Sequence, residues 1–418
     1  LDPRRFFIAM FEAAVAAAHP EQVVSAHLPA KPKGRTIVVG AGKGSAQMAL
    51  ALEKAWDGPL TGAVVTRYGY GVPCRRIEVF EAAHPVPDAA GVEGAKRLFN
   101  AVEGLCGDDL VIALISGGGS ALLPYPPQGM RLADEAAVNE ALLASGAPIA
   151  AMNTVRKHLS GIKGGRLAEA AYPAKVVSLV VSDIPGDNPA LVSSGPTVPD
   201  PSTRHDALRI VAEFGLKLPE PAVRHLNSPA ADAPRPDDGR FARNEVRVVA
   251  SAAISLQAAA AEVGRRGVEA VILSDAIEGE AREVAKVLAA IAREVAVRDR
   301  PFRKPVVILS GGETTVTIRG RGKGGRNSEF LLALANEIDG VPGIHAFAAD
   351  TDGIDGSQDN AGAFADGTTN SRLRTAGLDP TDLLANNDAW SAFDALGDLF
   401  VPGPTGTNVN DLRAMLVR

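Results

Sequence analysis

The sequence predicts an α/β protein of two domains, on three observations. Short β-branched and aliphatic runs lead into glycine turns: Ile37-Val38-Val39 before Gly40 to Ser45, Leu110 to Ile115 before Ser116 to Ser120, and Val306 to Leu309 before Ser310 to Glu313. Helical, alanine-rich stretches are interleaved with them, and continuous apolar strands alternating with helices indicate parallel sheets covered on both faces. The chain is 418 residues long, more than one ordinary core accommodates. It also carries 43 glycines, and because each one adds backbone entropy that folding must remove, such a surplus needs a use.

The first element is a helix. Arg4-Arg5 followed by Phe6, Phe7, Ile8 and the alanines up to Ala18 has a faint likeness to a secretory signal, but Glu12 interrupts the apolar run. No later window reaches the ~18 apolar residues of a membrane span. The spacing predicts an amphipathic helix ending near His19-Pro20. Ile37 to Val39 is the first strand, and Ala46 to Trp56 reads as the helix after it. Further strands are predicted at Gly62 to Thr66, Leu110 to Ile115, Lys175 to Ser182, Val246 to Ala250, Ala270 to Leu273, Val306 to Leu309 and Ile344 to Ala349. Between Lys217 and Asn244 the pattern dissolves into Pro219, Pro221, Pro229, Pro234 and Pro236, a stretch expected to hold neither helix nor central strand. It is the predicted linker, with domains over residues 1–238 and 239–418.

Bulk composition excludes several classes. With 46% hydrophobic and 22% charged residues the chain is not disordered, and its glycines follow no period of three, so it is not collagen-like. A net charge of -6 argues against nucleic acid as a partner, since a phosphate backbone requires a concentrated basic surface. Cys74 and Cys106 make no disulfide framework and lack metal-ligand spacing, which suits a reducing cytoplasm. The expected form is a cytoplasmic monomer or homodimer without membrane contact.

The glycine turns point to anions. Gly40-Ala41-Gly42-Lys43-Gly44-Ser45 lies between a strand and a helix, where N–H groups and the helix dipole favour negative charge. Gly42, Gly44 and Ser45 would cradle a phosphate that Lys43 reaches; a tight turn with a surface lysine is the plain alternative. It is not a Walker A loop, because Gly44 follows Lys43, and Ser45 stands where a dinucleotide fingerprint needs its third glycine. Ser116-Gly117-Gly118-Gly119-Ser120 can form an anion nest. Its serines are outside a G-x-S-x-G elbow and no histidine is placed by sequence to activate them, which sets a serine hydrolase aside. Asn153, Arg156 and Lys157, with Lys163 and Arg166 nearby, concentrate cations in an acidic chain as candidate substrate contacts or as a solvated helix face. The flanking Met152, Leu159, Ile162 and Leu167 imply partial burial, and a buried cation needs an anionic partner from protein or ligand.

Acidic residues gather behind strands, the ligand crevice of open α/β sheets: Asp183 and Asp187 in one loop, Asp350, Asp352 and Asp355 in another. Several carboxylates on a short glycine-containing loop suit a hard divalent cation, and Mg²⁺ typically enters with phosphates attached; Asp/Gly turns are the alternative. Gly320 to Glu329 adds Lys323 and Arg326, with Arg326 expected near a helix N-terminus, unless the segment is a mobile surface loop. This inventory fits phosphoryl transfer better than hydride transfer, because phosphoryl catalysis is mostly positioning and charge neutralisation.

Eight segments in order, VVGAGKGSAQMA, AHPVPD, LISGGGSALLPYP, MNTVRKHLSGIKGGRLA, VVSDIPGDNPALVSSGPTVPD, LSGGETTVTIRGRGKGGRNSEF, AADTDGIDGSQDNAGAF and GPTGTNVNDL, together resemble the glycerate 2-kinase family whose C-terminal part is the MOFRL domain. The resemblance covers nearly the whole chain. It implies a Rossmann-like N-terminal domain facing a MOFRL domain across an active-site cleft, and transfer of phosphate from ATP, with Mg²⁺, to the 2-hydroxyl of D-glycerate. It further implies that Lys43 and Arg326 act on the reacting phosphoryl group. Ser116 to Ser120, with Ser310, Gly311, Gly312 and Glu313, would hold phosphates or substrate. Asp183, Asp187, Asp350 and Asp352 would serve Mg²⁺ and polarise the hydroxyl, Asp183 as the catalytic acid residue.

Members of this family are often labelled hydroxypyruvate reductases. An NAD(P)H-dependent reductase needs a dinucleotide loop with an acidic ribose ligand ~20 residues beyond it; Ser45 breaks the loop, and Asp57 and Arg67 give no clear strand-end acid. A non-catalytic sensor of a phosphorylated metabolite would need the glycine nests, but not Lys43, Arg326 and the acid loops together.

Overall fold

A computed structural model describes residues 2–418 as α/β throughout, in two compact units. One unit is Pro20–Val249; the other combines the segment up to His19 with Ala250–Arg418. The division expected near residue 238 therefore moves to about 249, and the opening helix joins the later half of the chain.

The unit Pro20–Val249 is built on β1 (Thr36–Ala41), β2 (Thr61–Arg67), β3 (Ile77–Ala82), β4 (Leu110–Ile115), β5 (Lys175–Val181) and β6 (Glu245–Ala250). Their order is β3-β2-β1-β4-β5-β6, and the first five pair in parallel. β1 and β4 are buried at every position, which is why their sequences are uninterrupted apolar runs. Ile37, Val39, Val65, Val111, Ala113 and Val176 pack against Ala95 and Leu98 of the helix Ala89–Val102 and Leu167 of the helix Arg166–Ala170. The strand order reverses direction between β1 and β4, and ligands of open α/β sheets bind outside the carboxyl ends at such a switch point.

The proline-rich stretch is not a linker. Pro219 caps and Pro221 opens the helix Glu220–Leu226, since a first-turn proline removes no helical hydrogen bond. Ala222 and Leu226 of that helix lie in a core with Val138, Leu142, Val155, Leu159 and Ile210.

The second unit contains β7 (Glu269–Ser274), β8 (Gly279–Glu280), β9 (Val306–Gly312), β10 (Thr314–Thr315), β11 (Ile344–Asp350), β12 (Gly362–Asp366), β13 (Leu399–Phe400) and β14 (Asp411–Val417). β8 and β10 form a small ribbon, and the main sheet runs β13-β12-β11-β14-β9-β7. Here the expectation of a parallel sheet is corrected: β7 and β9 are parallel, but β14 inserts antiparallel between β9 and β11, and β12 and β13 continue antiparallel.

The opening helix is Pro3–Ala18, as its spacing predicted. Asp2 caps it, accepting from Arg4 N–H at 3.0 Å, with Pro3 in the first turn. Its Phe6, Phe7 and Phe11 are buried in one core with Phe347, Phe364 and Phe400; Phe7 stacks on Phe347 with centroids 5.7 Å apart. Each buried phenylalanine contributes roughly 1.5–3 kcal/mol, which fastens this segment to a sheet far along the chain. Among the described residues no helix is long and apolar enough to cross a membrane.

Candidate active site

The carboxyl ends of β3, β2, β1, β4 and β5 are followed or closed, in that spatial order, by His84, Arg67, Lys43, the turn Ser116–Ser120 and Asp183. The turns after β1 and β4 are fastened to each other. Lys43 N–H donates to Gly117 O at 2.9 Å, Gly42 N–H to Val65 O at 3.1 Å and Ser45 N–H to Gly42 O at 3.2 Å. Gly44 N–H donates to Ser116 Oγ at 2.9 Å, and the buried Ser45 hydroxyl donates to Leu114 O at 2.9 Å.

These bonds correct the expectation that Gly42, Gly44 and Ser45 cradle phosphate, because their donors are used inside the protein. The glycines here admit other protein groups. Gly42 has φ 141°, and a Cβ on it would lie 2.1 Å from Ser116 Oγ; one on Gly117 would lie 1.8 Å from the Asp183 carboxylate. What the first turn offers a ligand is the Lys43 side chain. Among the described residues no carboxylate pairs with it, whereas Lys31, Lys54, Lys157, Lys163 and Lys175 are each paired.

A Cβ on Gly118 would lie 3.1 Å from both His84 Nε2 and Lys43 Cγ, so the β4 turn, the lysine and this histidine meet at one place. Burial, then the charges of Lys43 and Arg67, push the His84 pKa down, which keeps the imidazole neutral near pH 7. Ser193, Ser194 and Gly195 run consecutively through left-handed backbone at φ 53°, 59° and 57°. Ser193 Oγ donates to Ser116 O at 2.6 Å and accepts from Gly119 N–H at 3.0 Å, while the Ser194 and Ser120 hydroxyls lie 2.9 Å apart. Left-handed non-glycine residues cost of order 1–3 kcal/mol each; this pair holds the β4 turn. Sequence reasoning gave His84, Ser193 and Ser194 no role and weighed Arg67 only as a strand end without an acid, although AHPVPD and VSSG were visible segments.

The cation-rich helix Ile149–His158 divides in two. Lys157 is 1% exposed and its ammonium is paired with Asp200; Lys163 meets Glu135 at 3.2 Å. The anionic partners are protein groups, and Lys157 is corrected from substrate contact to core cation. Lys157→Met should destabilise the protein by about 2–3 kcal/mol in urea unfolding, because Asp200 is left unpaired, and Lys157→Met/Asp200→Leu should recover most of that. Arg156 differs: Nε donates to Asn139 Oδ1 at 2.8 Å and Nη1 to Asn153 Oδ1 at 3.3 Å, with no carboxylate partner among the described residues. Arg156 and Asn153 thus form a partly buried pair with its positive charge uncompensated.

In the other unit Arg326 opens the helix Arg326–Glu337, and each of its three nitrogens donates to a carboxylate: Nε to Asp411 at 2.8 Å, Nη1 to Glu313 at 3.0 Å and Nη2 to Asp350 at 2.6 Å. Asp355 accepts the N–H groups of Asn327 at 2.9 Å and Ser328 at 2.8 Å, satisfying the first helical donors. Asp411 Oδ1 also accepts from Asn327 Nδ2 at 2.8 Å. Arg413, 1% exposed, donates to Asp411 Oδ2 at 2.5 Å, Thr314 Oγ1 at 3.1 Å and Gly311 O at 3.4 Å. Asp411 and Arg413 had no part in the sequence-based assignment.

Burial, followed by the charges of Asp411 and Asp352, raises the Asp350 pKa well above the usual carboxylate range despite the pull of Arg326. The cluster holds more carboxylate than cation. Arg326, expected to act on a phosphoryl group, has all three guanidinium nitrogens engaged by protein carboxylates in this structure. Asp350 is engaged by Arg326 and is poorly suited to a metal. Among the described residues no group of three or more His, Cys, Asp or Glu side chains is arranged to hold a metal ion.

Two further corrections concern glycines. Ser310, Gly311 and Gly312 are the end of β9, in register with Arg413, Leu412 and Asp411 of β14, so they are a sheet ladder and not an open phosphate turn. The segment Gly320 to Gly325 is no mobile loop: Cβ atoms on Gly320 and Gly322 would lie 2.2 Å from Asn386 O and 2.4 Å from Asp388 Cβ. Lys323 donates its N–H to Asp388 Oδ1 at 3.0 Å and lays its ammonium 5.3 Å from the Trp390 ring centroid.

Comparison with known proteins gives a consistent result. Residues 6–227 match the domain of unknown function DUF4147, and residues 306–411 match the MOFRL family. D-glycerate 2-kinase of Thermotoga maritima is 38% identical over 98% of this chain and 97% of its own length. Glycerate 2-kinase of Pyrococcus horikoshii is 41% identical over 92% and 88%. A relative in Agrobacterium vitis, 54% identical over 98% and 93%, carries a provisional hydroxypyruvate reductase name. The crystal structure of glycerate kinase from Thermotoga maritima matches with a TM-score of 0.92 and 38% identity, covering 99% of both chains.

The fold and these matches define a two-part α/β kinase. The chain belongs to the glycerate kinase family, in which a DUF4147 region is followed by a MOFRL region.

Proposed function

We propose that this protein transfers the γ-phosphoryl group of ATP to the 2-hydroxyl of D-glycerate, giving 2-phosphoglycerate and ADP. The observation that carries the reading is Lys43, an unpaired ammonium beside the Ser116–Ser120 turn at the β1/β4 switch point. Phosphoryl transfer spreads negative charge over the migrating group; Lys43 neutralises it, and the amides of the Gly117-Gly118 turn add dipoles. Asp183, packed against Gly117, polarises the attacking hydroxyl.

Mg²⁺ typically takes one or two carboxylates and fills its remaining positions with phosphate and water. Asp187, on the same loop as Asp183, is a hard oxygen donor of that kind and would hold the ion, which supplies neutralisation of the phosphates. Within its own unit Arg326 fixes the carboxylates of Asp350, Asp411 and Glu313. The reductase reading is weakened by the turn after β1, whose amides are consumed within the protein where a dinucleotide pyrophosphate would need them. A cytoplasmic location accords with Cys74 and Cys106 being free thiols.

The test is direct. Purified protein with ATP, Mg²⁺ and D-glycerate should release ADP in a coupled assay, and phosphorus NMR should identify 2-phosphoglycerate. Absence of ADP, with NADH consumed on adding hydroxypyruvate, would overturn the kinase reading.

A further inference from the structure

We propose that Arg67 and His84, at the carboxyl ends of β2 and β3, form the site for the substrate's carboxylate and so make the enzyme selective for hydroxy acids. The inference rests on the kinase reading and adds the part of the site that the phosphoryl chemistry leaves unassigned.

Three neighbouring parallel strands each end in a basic side chain: Lys43 two residues beyond β1, Arg67 closing β2 and His84 two residues beyond β3. Arg67 is in register with Ala82, and Tyr68 N–H donates to Ala82 O at 3.1 Å, so the ends of β2 and β3 are stitched together. The nearby acids do not cancel this charge. Glu81 accepts the N–H groups of Gly69 and Gly71, both at 2.9 Å, and Asp88 takes the Tyr68 hydroxyl at 2.8 Å and Gly91 N–H at 3.0 Å. Arg67 stacks over the Tyr70 ring, 5.3 Å from its centroid, and no carboxylate among the described residues meets its guanidinium. The His84 ring makes no hydrogen bond among the described residues and stands beside Lys43 and Gly118.

This arrangement fits a planar anion. A guanidinium binds a carboxylate through two parallel N–H bonds, a geometry that an ammonium lacks. Kept neutral by its surroundings, His84 adds one directed hydrogen bond without a third repelling charge. In a 2-hydroxy acid the carboxylate is attached to the very carbon that bears the reacting oxygen. A hydroxyl presented to the phosphoryl group at Lys43 therefore places the carboxylate next to Lys43, on the side where Arg67 and His84 stand.

The experiment compares steady-state kinetics of the full chain for D-glycerate, its neutral carboxamide and ATP. Loss of a charge-assisted bidentate contact corresponds to about 10–100-fold, so Arg67→Met should raise KM for D-glycerate by that factor. KM for ATP should stay within about 2-fold, and the preference for D-glycerate over the carboxamide should collapse. Arg67→Lys should fall between, and His84→Asn should raise KM for D-glycerate less than Arg67→Met does. Arg67 is exposed and outside the core, and unchanged thermal melting of each variant checks that folding is intact. If KM for ATP rises instead, the pair binds nucleotide phosphate and the proposal is wrong; it is equally wrong if neither KM nor the acid preference moves. Failure of the kinase reading would show earlier and separately, as wild-type protein that makes no ADP.

Discussion

Lys43→Ala should lower kcat by about 10²–10³, the scale seen when one preorganised donor to developing charge is removed, while leaving the fold intact. The side chain is half-buried and in no ion pair, and the bond that fixes the turn, from Lys43 N–H to Gly117 O at 2.9 Å, belongs to the backbone and survives the substitution. Stability should therefore change by no more than about 0.5 kcal/mol. Lys43→Arg should not restore activity. The lysine stem passes so close to Gly118 that a Cβ there would sit 3.1 Å from Lys43 Cγ and 3.2 Å from Cε, leaving little room for a planar guanidinium. Coupled ADP release beside a melting curve reads both effects. Full activity in the alanine variant would remove Lys43 from the reaction.

The largest stability effect should come from Asp411→Ala. It leaves Arg413 in the core without its carboxylate and takes the Nε partner from Arg326. Breaking a buried pair from one side costs about 3–5 kcal/mol, whereas replacing both partners with apolar groups is often near neutral. Asp411→Ala should accordingly shift the urea midpoint strongly, and Asp411→Leu/Arg413→Met should recover much of the loss. A cost below about 1 kcal/mol for the single variant would show that the network is not an energetic unit.

What the sequence revealed follows from burial. β1, β4, β5 and β9 lie deep in their sheets, and a strand buried on both faces must be written as an apolar run. β3 escaped notice because Glu78 and Glu81 break its apolar run, as its place at the sheet edge allows. β14 escaped because its antiparallel place between β9 and β11 depends on pairing across about a hundred residues, which no local pattern carries. The site divides similarly. Lys43 and Asp183 were legible as polar residues directly behind apolar strands. The glycines of 320–325 misled because a missing side chain looks the same whether it makes way for a ligand or for Asn386 and Asp388. Arg67 and His84 come from separate strand ends, and only the sheet brings them beside Lys43.

The opening helix and β14 have a consequence for biosynthesis. Residues 3–18 are synthesised long before Asp411–Val417, the strand that completes the sheet they cover. Three phenylalanines must therefore wait, unpartnered, while all of Pro20–Val249 is synthesised and folds in between. Exposed apolar surface of that kind is where partly made chains aggregate. The same arrangement means that a chain stopped short of residue 411 would leave β9 and β11 without the strand that joins them, however complete its first 400 residues.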